Sequence, residues 1–335
     1  MPPHEVSSGS GIVDKSMSAR LKAALVHVPA WYLWFQAFSL LDTEVRLLDP
    51  PRRDFAFTAL FPLAWFAAYY LARPLSDRTR NRRKDVLLVS LSCLAPAILI
   101  FWIIPPTPRP HEVLMRGAEI VRLVLSALLA VHCWLATSRA TFVKFFVVAL
   151  VYGAILENGG ILGGFFSEPG YLLYIPHLPA PVVNIVGWSV GLYISVYVWQ
   201  RIFERFEFRR FKTCIFAAGV TAVAVLQDLQ IDPFATHSRW WIWHDSLAGA
   251  FLGVPLLNFL AWIAAVFPFA WLYYHIETTA GMTESRRIVR LFLSIPIVLI
   301  AAVVIVLILT VIFRGPRSED IELFKHALGL SRGLT

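Results

Sequence analysis

Three carboxyl groups stand where an apolar segment should carry none. Glu157 sits in Ala154-Ile-Leu-Glu157-Asn158-Gly-Gly160, late in one apolar run, and Asp228 and Asp232 close another. An ionisable side chain in hydrocarbon is costly, so its presence asks for a reason. Charge is disfavoured there, and a neutral carboxylic acid in an apolar pocket is a ready proton donor. A Glu that only hydrogen-bonds a neighbouring helix would look the same in sequence. Asp228 and Asp232 are four apart and share one face if their helix continues to Pro233. Asp232-Pro233 is also a turn signal, which predicts a loop over 231–253. That loop is dense in His237, Trp240, Trp241, Trp243, His244 and Asp245. Indoles at such a place form either an interfacial belt or the walls of a site. A belt needs no carboxylates, so the acids favour a site. The loop after Glu157, over 164–181, carries Gly164, Pro169, Gly170, Tyr171, Tyr174 and Pro176. Its composition predicts a re-entrant or lid segment, which survives at membrane depth only against protein or a cavity. A cavity lined by Glu157, Asp228, Asp232 and aromatic faces is the expectation. His237, His244, Asp232 and Asp245 include metal-ligand types, but their spacing matches no standard run. The acids form no Glu-x-x-His pair of the di-iron kind either. No metal is expected.

These residues need helices to position them, and the sequence is built of apolar runs. Of 335 residues, 58% are hydrophobic and 16% charged, against about 45–50% and about 25% in soluble domains. Runs long enough to cross a bilayer lie near 23–42, 55–72, 86–104, 119–138, 143–163, 182–203, 213–230, 254–274 and 289–313. The predicted fold is all-α, a polytopic transmembrane bundle of eight or nine spans over 21–314. Polar tails cover 1–20 and 315–335, and the first lacks the apolar core of a cleavable signal peptide. No internal repeat and no soluble domain is evident. The formal charge of +8 comes from Lys and Arg in short loops, which is the pattern of cytoplasmic membrane loops and argues against nucleic acid. Arg73 to Lys84, Arg201 to Lys212 and Arg286 to Arg290 mark one side. Loops 164–181 and 231–253 fall on the other, with Arg239 their one basic side chain. Nine spans would leave Arg314, Arg317, Lys325 and Arg332 on that basic-poor side, which is why eight is the alternative. Cys93, Cys133 and Cys214 each lie within apolar runs without a CxxC neighbour, and read as small buried hydrophobes.

The segment Asp228-x-x-x-Asp232-Pro233, then Trp241-x-Trp243-x-Asp245, then Gly253-x-Pro255-x-x-Asn258-Phe259-x-Ala-Trp262, resembles the carotenoid 1,2-hydratase family. These are CruF-like membrane proteins of the bisanhydrobacterioruberin hydratase type. Glu157, the Phe165-Phe166…Gly170-Tyr171…Tyr174 loop and Pro181…Trp188 are similar to the family's earlier region, with Ser167-Glu168-Pro169 before Gly170 and Asn184 in place of a second proline. The resemblance covers roughly 140–275. It implies water addition across the terminal double bond of an acyclic, lycopene-like carotenoid held in the bilayer, with no redox cofactor. Protonating such an alkene gives a tertiary carbocation, which water captures. Asp228 or Asp232 would donate the proton, with Glu157 or Asp245 as partner and Asn258 orienting water or a carboxylate. Tyr171, Tyr174, Trp240, Trp241, Trp243 and His244 would bind the substrate, the aromatic rings facing the cation, and a second carboxylate or a His would deprotonate water. An end-group cyclase begins with the same protonation. A lipid- or carotenoid-binding transporter would instead predict broken helices in inverted repeats about a midplane site.

Overall fold

The computed structural model describes residues 28–43 and 111–314, apart from 209, 246 and 248, together with Lys325. Spans expected at 55–72 and 86–104, Cys93, and the tails apart from Lys325, lie outside the described residues. Helix α1 is Val28–Asp42, part of the first expected run. Six further segments among the described residues are long and apolar enough to cross a membrane. They begin with α2 (His111–Ala136). The second joins α3 (Arg139–Val143), a π-helical turn (Lys144–Val148) and α4 (Ala149–Leu162). Helices α5 (Val182–Phe203), α6 (Lys212–His237) and α7 (Leu256–Thr278) follow. Helix α8 (Glu284–Leu293) lies apart from α9 (Ile295–Arg314), the last span. The chain is therefore a multi-helix membrane protein. The eight or nine spans predicted are not reached within the described residues, which hold six.

Two boundaries differ from the sequence expectation. Helix α6 passes through Asp232-Pro233 and ends at His237, so the loop opens at 238 and not at 231. Proline removes one backbone donor, but Asp232 to Ala235 are buried against neighbouring elements that hold the backbone in place. The last expected run, 289–313, divides at Ser294, whose hydroxyl bonds back to the Arg290 carbonyl at 2.6 Å.

Helices α4 to α7 pack with α1, α2 and α9 around one apolar core. Gly153 lets α4 lie directly on α5: a Cβ there would collide with Trp188. At the Arg-rich end, buried Lys144 donates to Glu277 at 2.6 Å and to Glu284 at 2.9 Å. That contact ties the π-helical turn to the end of α7 and the start of α8. At the opposite end the two long loops are stitched together. Strand β1 (Phe166–Ser167) pairs antiparallel with β2 (Ile242–Trp243), Phe166 facing Trp243. A second small ribbon, β3 (Gly249–Phe251) with β4 (Val254–Pro255), leads into α7. Glu119 on α2 accepts from the backbone N–H groups of Leu172 and Leu173 at 2.8 and 3.1 Å. The predicted lid is thus a structured cap at the basic-poor end.

Candidate functional site

A cavity of about 450 Å³ opens beneath this cap, among α1, α2, α4 to α7 and α9. Small-molecule sites typically enclose about 300–1,000 Å³. Its α9 wall is Leu299, Ala302, Val303 and Val306, and its α7 wall includes Ala261, Ala264 and Ala265. Polar groups enter in two clusters.

The first cluster joins α6 to α7. Asp228 and Asp232, one helical turn apart, face the third residue of α7. The Asn258 amide donates to Asp228 Oδ2 at 2.9 Å and to Asp232 Oδ2 at 2.5 Å. Both aspartates are buried, and the second oxygen of each has no partner among the described residues. Asn258 can do this because Pro255, extended at φ −65° and ψ 145°, starts α7 beside the end of α6. Gln227, next to Asp228, is held by Ser195 on α5 at 2.8 Å and by Gln36 on α1 at 3.3 Å.

The second cluster joins α4, α5 and the cap. Trp188 donates its indole N–H to Glu157 Oε2 at 2.6 Å. Its ring stacks on Trp262 of α7, with centroids 4.2 Å apart and planes 13° from parallel. Behind them stands Glu168 from the loop, only 4% exposed. Its Oε1 accepts from Asn184 at 2.5 Å and also from the Trp241 indole. Burial, and then the nearby Glu157 carboxyl, hold the Glu168 carboxyl well above the usual carboxylate range. The Glu157 and Glu168 carboxyls lie within hydrogen-bonding reach of each other. Arg122 of α2 lines the same cavity and supplies its positive charge.

Of the residues singled out in the sequence, Glu157, Asp228, Asp232, Asn258, Trp241 and Trp243 line this cavity. Trp243 is fixed by its indole N–H to Thr236 Oγ1 at 2.9 Å. The others lie elsewhere. Asp245 and His244 follow β2 on the exposed rim, away from the cavity lining. Trp240 is 2% exposed and packs against Tyr171 and Phe234 in a separate cluster beneath the cap. The reason is local. Arg239 takes a left-handed conformation, φ 55°, that turns the chain back at the end of α6. Trp240 enters the core there, while alternation along the extended segment sends Trp241 and Trp243 one way and Ile242 the other. Tyr174 is half-exposed and donates to the Glu168 backbone carbonyl at 2.6 Å, so it shapes the loop. Cys214 is exposed on its helix, whereas Cys133 is buried as expected. Among the described residues, no three His, Cys, Asp or Glu side chains are grouped as a metal-ligand set.

The sequence pattern includes Glu168, Asn184, Trp188 and Trp262 but assigns them no role, and it does not include Arg122. One signal was legible: Glu168 is the single acid of a loop without Lys or Arg, next to Pro-Gly. Nothing in the local sequence pairs Trp188 with Glu157 or Trp262 with Trp188, because helix packing alone brings them together.

Comparison with curated proteins and with solved structures returns no match. A family model described as carotenoid biosynthesis protein matches residues 117–316, from α2 through α9, and so spans both carboxyl clusters and the cap between them. The chain belongs to the carotenoid biosynthesis protein family.

Proposed function

We propose that the chain is a hydro-lyase that adds water across the terminal double bond of an acyclic carotenoid. The observation that carries this reading is the pair Asp228 and Asp232, bridged by Asn258 in a largely apolar, indole-walled cavity. Two carboxyl groups this close in a dry site do not both ionise, so the pair holds a proton. In the reaction one of the two gives that proton to the alkene. The π bond breaks, a C–H bond forms, and positive charge develops on the tertiary carbon. The conjugate carboxylate, already receiving the Asn258 amide, faces the cation. The stacked Trp188 and Trp262 and the nearby Trp241 add about 0.5–2 kcal/mol for each ring the cation meets. Water then forms the C–O bond and releases a proton to Glu157, which lines the same cavity. The volume suits an end group with part of its polyene, while the remaining chain lies along the apolar helices.

The test is the pigment extract of cells that make lycopene and express this chain. A more polar carotenoid heavier by one water is expected. An unchanged mass with altered retention would indicate a cyclase, and no change in any acyclic carotenoid would sink both.

A further inference from the structure

The cavity has an apolar edge as well as its two polar clusters. On α4 an exposed stripe runs through Val151, Ile155, Gly159 and Leu162, which share one face of the helix. Ile155, 45% exposed, and Gly159 also line the cavity, so the cavity meets the outer face of the bundle there. On α9, Leu299 and Val303 line the cavity one turn apart and are half-buried. They stand between the buried Ala302 and Val306 and the exposed Ile300, Val304 and Ile308. A gap separates these two edges, because α4 packs chiefly on α5 and α9 chiefly on α7. The gap is framed at both ends. Toward the Arg-rich end, Tyr152 of α4 closes it by reaching α7, where it donates to the Ala265 carbonyl at 2.9 Å and stacks on Phe269. Toward the cap, it ends at Phe165 and Phe166. A Cβ at Gly159 would meet no neighbouring atom within 4 Å, so the α4 edge of the opening is clear.

Both edges belong to segments long and apolar enough to cross a membrane, and Ile155, Gly159, Leu299 and Val303 offer no polar side chain. An opening of that kind admits a lipid-soluble molecule from hydrocarbon and gives a solute from water nothing to bind. A cavity of about 450 Å³ takes a group of drug size, whereas an acyclic carotenoid is an extended chain that outruns it. Resting on the hydratase reading above, we propose that the gap between α4 and α9 is the lateral entry for the carotenoid from the bilayer, and the slot that holds its polyene during the reaction. One end group passes between Ile155 and Val303 and comes to rest beside Asp228, Asp232 and the indole walls. The polyene lies in the slot, and the far end stays in lipid. Gly159 leaves room for this chain, since a rigid conjugated rod cannot bend around a side chain at that point. Product leaves by the same path.

The experiment expresses the full chain in cells that make lycopene. Two quantities are read for each variant: hydrated product in the membranes, and lycopene carried by the purified protein, from its visible absorbance. Gly159→Phe and Val303→Trp put rings into the slot. Ile300→Trp and Ile308→Trp add similar bulk to the outward face of α9, where Ile300 is 66% exposed. The slot variants are each expected to lower both quantities about 10-fold or more, and the outward variants to stay within about twofold. Melting temperatures stay within about 2 °C in all four, because each position faces the slot or lipid. Unchanged hydration and unchanged bound lycopene in both slot variants would overturn the entry site. So would equal losses in the outward variants, or losses that follow a fall in melting temperature, because the added bulk would then act on the fold. Should the unaltered chain carry lycopene yet yield no hydrated product, the hydratase reading fails, and bound lycopene alone decides the entry site. Should it neither carry nor hydrate lycopene, both fail.

Discussion

At the scale of single residues, the site depends on which buried polar atoms are bridged. Asn258 alone satisfies one oxygen of each aspartate. Asn258→Leu leaves both oxygens unpaired, which predicts a loss of about 1–3 kcal/mol in stability and at least about 10-fold in hydration, read by detergent-melting and pigment assays. Asp232→Asn is expected to abolish turnover while the protein stays in the membrane at normal abundance. If activity survives both that change and Asp228→Asn, the donor has been misassigned. Glu168 gives a pH signature. Its folded-state carboxyl lies above the ordinary value of 4.5, so the native protein binds more protons than the unfolded chain. The Glu168 contribution to stability is therefore fully present below about pH 4.5 and is lost as pH rises through the raised value. Glu168→Gln should flatten that part of the curve, and an unchanged slope in a melting series would contradict the assignment. These residues were unevenly legible. The two aspartates and Asn258 stand out in sequence as a spaced pattern within apolar runs. Glu168 does not, since an acid in a loop is ordinary until tertiary packing buries it.

At the scale of elements, close approach of α4 and α5 places Trp188 over Glu157. A Cβ at Gly153 meets the Cβ of Trp188, which cannot rotate away. Gly153→Ala therefore forces the helices apart, at about 1–3 kcal/mol, and is expected to lower hydration along with the melting temperature. Gly159 faces open space, so Gly159→Ala should stay within about 0.5 kcal/mol and serves as the control. At the other end, Lys144→Met removes the cation shared by Glu277 and Glu284. Breaking a fully buried pair costs about 3–5 kcal/mol, but the two carboxylates are 25% and 52% exposed, so screening brings the expected loss to about 1–2 kcal/mol. Helix α6 shows why its end was misread. Asp232-Pro233 carries a genuine turn signal, and it is overridden because the helix is packed between α1, α5 and α7, where its backbone is held by neighbours.

At the scale of the molecule, the basic loops and the site lie at opposite ends. The stretch from the end of α5 to the start of α6 carries Arg201, Arg205 and Lys212, and α8 carries Arg286, Arg287 and Arg290, whereas the cap at 163–181 and 238–255 has Arg239 as its one Lys or Arg. The positive-inside rule then predicts a cytoplasmic Arg-rich end and a site opening toward the far side. Cysteines introduced at Glu207 and at His177 should report opposite labelling by a membrane-impermeant maleimide on intact cells, with His177→Cys the reactive one. Labelling of Glu207→Cys alone would invert this orientation.

The apolar helices and the spacing of Asp228, Asp232 and Asn258 are legible in the chain's local composition and 3.6-residue period. Which side chains meet depends on the packing of the folded chain. Packing brings Trp188 and Glu168 to Glu157, keeps Trp240 and Asp245 away from the cavity, and joins the two loops into one cap through β1 and β2. Contacts between residues tens of positions apart depend on how helices pack and where a chain turns, and no short stretch of sequence carries that information.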